Sequence, residues 1–179
     1  QQFERERVAE AFYQAEKTLG DPAAATDDAK RLGPAKEALT QFLAAHPKAE
    51  LSPVAWMALA RIAFEEKDLD TATRNFQEAQ KHPQAKPFAR HLASIGLARV
   101  HEMRGEFEAS AAIYRALPQE QFADLKALSL GRLALAQQKP GLARKHFGPL
   151  AKRFPPNRLS SWAADALSAL PPGPGDGQK

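Results

Sequence analysis

Apolar residues recur along this chain at helical spacing, and proline, glycine or short polar turns interrupt them at regular intervals. Val8, Ala11, Phe12, Ala15 and Leu19 fall on one stripe of a helix over residues 3–19, with glutamate and arginine alternating around Glu4 to Arg7. Gly20-Asp21-Pro22 stops that helix, and Asp27 or Asp28 is placed to cap the next one, which runs to His46 with a break or kink expected at Gly33-Pro34. Further breaks stand at Pro47, Lys67-Asp68, Pro83 to Pro87, Gly105, Pro118, Pro140-Gly141 and Pro155-Pro156, and each interval is one helix long. The last interval, about Leu159 to Leu170, sets Trp162, Ala163, Ala166, Leu167 and Leu170 on one face, as a helix closing the end of a stack requires. The pattern predicts about nine helices and no sheet.

The intervals are copies of one another. Leu59-Ala60-Arg61, Leu97-Ala98-Arg99 and Leu130-Gly131-Arg132 recur at spacings of 33 to 38 residues, and each opens a stretch that ends in an aromatic residue. Trp56, Leu59, Ala60, Ala72, Phe76, Ala79 and Pro83 occupy the key places of the 34-residue tetratricopeptide pattern, which the chain therefore resembles. A second copy runs through Leu97, Ala98, Gly105, Phe107, Ser110, Tyr114 and Leu117, and a third through Leu130, Gly131, Ala134, Ala143, Phe147, Leu150 and Pro155. Ala35, Leu39, Phe42 and Pro47 form a degenerate half-copy before them. Small residues at Ala60, Ala72, Ala98, Gly131 and Ala143 let paired helices approach closely while the aromatics fill the space beside them. The resemblance implies an all-α, right-handed superhelix of antiparallel helix pairs with a concave groove. One solenoid domain over 1–170 follows: an N-terminal helix at 3–19, an irregular pair to 47, repeats at about 53–83, 88–118 and 122–155, and a capping helix at 159–170.

Composition changes this picture little. The 179 residues are 44% apolar and 26% charged, with no cysteine, which removes disulfides, thiolate metal sites and a cysteine nucleophile. No apolar run is long enough to span a bilayer. The chain begins with Gln1 and not Met, which leaves room for a leader or membrane anchor ahead of it. The Pro/Gly tail at 171–179 has no apolar group to bury and reads as disordered.

In hairpins of this kind the first helix lines the groove, and register assigns its residues. Met57, Arg61 and Phe64 come from the first full repeat, Ile95, Arg99, Glu102 and Met103 from the second, and Leu128, Arg132 and Leu135 from the third. Arg61, Arg99 and Arg132 share one repeat position and form a ladder of forked donors for carboxylates or carbonyls of an extended ligand, beside adaptable contacts from the two methionines. The alternative is that each arginine lays its stem along neighbouring helices and pairs within the protein, with the methionines as core filler.

A second surface is electrostatic. Lys126, Arg132, Lys139, Arg144, Lys145, Lys152, Arg153 and Arg158 are unbroken by any acidic residue, while residues 1–50 carry 7 basic and 9 acidic side chains. Such a run suits anionic lipid headgroups first, an acidic protein second and nucleic acid last, because Phe147 and Phe154 are needed in the core and not as exposed stacking platforms. A solvated face with no partner is the plain alternative.

Catalysis finds no footing. His46, His82, His91, His101 and His146 are scattered, and no pair has the spacing of a helical metal site. His46 and His82 precede prolines at helix ends, where a cation is favoured. No phosphate loop, nucleophile elbow or paired carboxylate in an apolar setting is present. The expectation is a non-enzyme with no cofactor, no metal and no small-molecule substrate.

Phe122-Ala123-Asp124-Leu125 leading to Leu130-Gly131-Arg132-Leu133-Ala134-Leu135-Ala136-Gln137, together with the Leu-Ala-Arg repeats and the irregular first pair, makes residues 3–152 similar to the bacterial periplasmic ancillary subunit of the Sec translocon. That resemblance implies a membrane-anchored protein on the periplasmic side of the inner membrane that binds another protein or an extended peptide and assists export. Phe42-Leu43-Ala44-Ala45-His46-Pro47 resembles outer-membrane and pilus assembly proteins built from the same hairpins. A cytosolic peptide adaptor is a further alternative, weakened because arginines stand where such clamps place asparagine.

Overall fold

The computed structural model describes residues 28–153 and 158–171, together with residues 6, 9, 10 and 13. Apart from residues 6, 9, 10 and 13, which are helical, the helix expected at 3–19 lies outside the described residues or side chains, as do the capping aspartates, Phe154 to Asn157 and the tail beyond Pro171. Eight helices and no strand are found among the described residues: α1 (Asp28–Ala45), α2 (Ser52–Glu65), α3 (Leu69–Lys81), α4 (Pro87–Met103), α5 (Phe107–Ala116), α6 (Gln119–Ala136), α7 (Pro140–Ala151) and α8 (Arg158–Ser168). They fall into two compact units, Gln1–Val100 and His101–Lys179.

In the first unit α1 packs on α2 and α2 on α3. Leu32, Ala35, Leu39, Phe42 and Leu43 of α1 meet Ala55, Leu59 and Ile62 of α2, with Trp56 half-buried at the edge of this core. Ala60 and Ala72 are fully buried where two backbones close on each other, and the Phe76 ring occupies the space a Cβ on Gly96 would need. Two polar groups tie the loops down. Ser52 donates to the His46 carbonyl at 2.6 Å. His82 accepts from the Gln84 amide at Nδ1 (3.2 Å), which leaves the proton on Nε2 to donate to the Pro47 carbonyl at 2.9 Å. This imidazole is buried.

The second unit repeats the plan. Ala134, Ala143, Phe147, Leu150 and Ala163 form its core, with Leu128, Leu135, Ala166, Leu167 and Leu170 packed around it. Phe147 lies against Gly131, and Tyr114 is buried at the corresponding place one repeat earlier. Trp162, expected on the inner face of the last helix, meets the Phe147 edge at 5.4 Å yet stays 41% exposed, because the smaller Ala163 takes the innermost place on α8.

The three turns that follow α2, α4 and α6 stop the same way. Lys67 (φ 62), Gly105 (φ 75) and Gln138 (φ 56) adopt the left-handed conformation, and the next amide in each, of Asp68, Glu106 and Lys139, reaches back to the carbonyl of Ala63, His101 or Ala134 at 2.8 to 2.9 Å. Asp68 then caps α3 by accepting from the Thr71 amide at 3.1 Å, and the Thr71 side chain first and its amide second hold the Asp68 carboxyl below the ordinary range. The break expected at Gly33-Pro34 is absent: α1 runs through it as one element, and α7 runs through Gly148-Pro149 likewise. In both, the residue before proline is the one that carries no Cβ to clash with the pyrrolidine ring.

Candidate functional site

The helical period sorts α2 into two sides. Ala55, Leu59, Ala60, Ile62 and Ala63 are buried against neighbouring helices, so Met57 and Phe64 remain half-buried and Arg61 exposed. On α4 the same position relative to the core is occupied by Ile95, half-buried, and Arg99, exposed; on α6 by Leu128 and Leu135, half-buried, and Arg132, exposed. Met103 is 54% exposed and not core filler. Phe88 and Leu92, which register alone did not assign, are 56% and 40% exposed on α4. Their signal was in the sequence: counting back from Arg99 and Ile95 in steps of four and three reaches Leu92 and Phe88.

Three arginines at one repeat position meet three environments. Arg61 makes no hydrogen bond or ion pair among the described residues. Arg99 lies over the Phe64 ring, 5.1 Å from its centroid. Arg132 donates to Glu102 at 2.5 Å. The other oxygen of Glu102 accepts from the Tyr114 hydroxyl at 2.8 Å and from Ser110 at 3.5 Å. Only 19% of the Glu102 side chain is exposed. Burial, the neighbouring carboxylate and its hydrogen bond push the Tyr114 phenol up to about 12. Glu102 and Arg132 thus join the end of α4 to α5 and α6, and neither offers an unoccupied charge.

Half of the basic run is likewise engaged internally. Lys126 donates to the Leu117 carbonyl at 2.8 Å, Lys139 to Gln137 at 2.5 Å with Glu108 at 3.8 Å, and Arg153 is paired with Asp124. Lys145, Lys152 and Arg158 are exposed and unpartnered among the described residues. Arg144 is half-buried, with Nη2 enclosed and lacking a partner. His146 beside them is held below the ordinary histidine range by partial burial and by the charges of Arg115 and Lys145. An open depression of ≈ 430 Å³ at the turns is lined by residues 105–109 and Gln137. No group of three or more His, Asp or Glu side chains able to hold a metal forms among the described residues.

The buried aromatic on each second helix, the small residues at the helix contacts and the shared left-handed stop describe one repeating hairpin. A family model for a tetratricopeptide repeat-like domain matches residues 1–158. The chain belongs to this family. Tetratricopeptide repeat-like domains are generally non-catalytic scaffolds that bind other proteins or peptides. No curated protein and no solved structure matches the chain. No helix among the described residues is long and apolar enough to cross a membrane.

Proposed function

We propose that this chain is a non-catalytic scaffold that holds another polypeptide against the first helices of its repeats. One contrast supports the reading. Second-helix aromatics Phe76, Tyr114 and Phe147 are buried, whereas first-helix residues Met57, Phe64, Ile95, Met103, Leu128 and Leu135 keep apolar surface in water. A photo-crosslinking amino acid at Leu92 or Leu128 is expected to give polypeptide adducts in cells, and one at Glu78 or Lys145, exposed on second helices, is not. Adducts from the second-helix positions alone would refute the proposal.

The working place of this scaffold is proposed to be the periplasmic side of a bacterial inner membrane, in protein export or envelope assembly. That part rests on the likeness of residues 3–152 to the ancillary translocon subunit. Alkaline phosphatase fused to the encoded protein, active only outside the cytoplasm, tests it; an inactive fusion would return the scaffold to the cytoplasm. Contact with an anionic surface has a smaller basis, since Lys145, Lys152 and Arg158 remain exposed after the internal pairs are formed.

A further inference from the structure

We infer that α4, with the adjoining end of α2, receives an amphipathic helix of a partner polypeptide, apolar at alternating steps of three and four and bearing a carboxylate opposite Arg99. The inference rests on the scaffold reading and specifies its ligand.

Phe88, Leu92, Ile95 and Arg99 follow one another at steps of four, three and four, so at 3.6 residues per turn they share an arc of roughly 60° and extend about 16 Å along the axis. Single exposed apolar side chains are ordinary, but two large ones a turn apart, continued by half-buried Ile95, form a patch. The three-four step is that of a helix–helix seam, in which each side chain enters a hole on a facing helix. An extended peptide, whose side chains repeat every second residue, does not match it.

Arg99 supplies the charge preference. Its guanidinium carbon lies over the Phe64 ring, 5.1 Å from the centroid, and the group carries five N–H donors and no acceptor. The side chain is exposed and makes no hydrogen bond among the described residues. Arg132, at the same repeat position, shows what such a fork takes: a carboxylate oxygen at 2.5 Å. Arg61 lies one turn from Phe64 on the same side of α2, exposed and also unpartnered among the described residues. The one acidic residue of α4, Glu102, has its carboxylate occupied by Arg132 and Tyr114 and does not oppose an incoming acid.

The test begins with selection of random displayed peptides of about 16 residues, four to five helical turns, against the whole chain. Anisotropy titrations of the enriched sequences against chain variants follow. Enriched peptides are expected to carry apolar residues at three-four spacing with an aspartate or glutamate among them. Leu92→Glu or Phe88→Ser should abolish their binding, and Arg99→Gln should weaken it by about tenfold, as loss of a charged hydrogen bond does. Arg99→Lys should recover only part of the loss, and Glu78→Ala, exposed on α3, should change nothing. Circular dichroism melts verify that the exposed variants fold. Enriched peptides that are basic or lack the spacing, or that bind the Leu92→Glu and Arg99→Gln variants unchanged, overturn this inference and leave the scaffold reading standing. No enrichment, with no first-helix adducts in cells, overturns both.

Discussion

Gly131→Ala adds one methyl group at the tightest contact of the second unit. The new Cβ would fall within the Phe147 ring, a side chain with no exposed surface that also meets Trp162 edge-on at 5.4 Å. Inserting a carbon into a filled core of this kind costs about 1–3 kcal/mol, and alanine returns about 1 kcal/mol of helix propensity. A net loss of about 1 kcal/mol is expected, bounded by the roughly 3–5 kcal/mol of losing the ring altogether. Gly141→Ala makes the same chemical change near the start of α7, where nothing lies within 4 Å, and should stabilise by about 0.5 kcal/mol. Urea unfolding followed by far-ultraviolet circular dichroism reads both as opposite shifts of midpoint at unchanged slope. Combining Gly131→Ala with Phe147→Leu, which vacates the contested space, should cost less than the sum of the two by at least about 0.5 kcal/mol. Equal stability of Gly131→Ala and Gly141→Ala, or strict additivity with Phe147→Leu, would refute the packing described.

Three further outcomes follow from the turns and the titrating groups. Lys67→Gly and Gln138→Gly should each raise thermal stability by about 0.5–1 kcal/mol by removing a left-handed side-chain clash, while Gly105→Ala should lower it by about 1 kcal/mol. Tyr114 is harder to ionise folded than unfolded, so its contribution is complete below pH 10 and is lost as pH rises through about 12; an alkaline absorbance step near 12 should vanish in Tyr114→Phe. His146 is harder to protonate folded than unfolded, so its contribution is present above the ordinary histidine range and is lost on acidification. His146→Gln should flatten that part of the stability profile measured by urea midpoints.

The fold was legible because close helix approach demands small residues and a filled hairpin demands an aromatic, so Ala60, Ala72, Gly131, Ala143, Phe76 and Phe147 announce their roles by identity. The left-handed stops were legible only at Gly105, since φ at Lys67 and Gln138 is imposed by the turn's backbone bonds and not by residue type. The site was less legible. Register put Arg61, Arg99 and Arg132 on one footing, but their partners come from residues distant in sequence: Phe64 lies 35 positions before Arg99, and Glu102 pairs 30 positions away with Arg132. The count of eight basic residues likewise hid Asp124 and Glu108, which lie outside the run and engage Arg153 and Lys139. Phe88 was overlooked because the key residues of the second copy begin only at Leu97.

The two prolines inside helices carry a mechanical meaning. Each lacks the amide that would bond four residues back, so the carbonyls of Lys30 and Lys145 miss a rung of the ladder on sides where Pro34 and Pro149 face water. Such a gap divides one rod into two segments that unzip separately. Deuterium uptake should therefore reach the last turn of α7 well before the residues ahead of Gly148, making a short joint of an element whose length alone suggests stiffness.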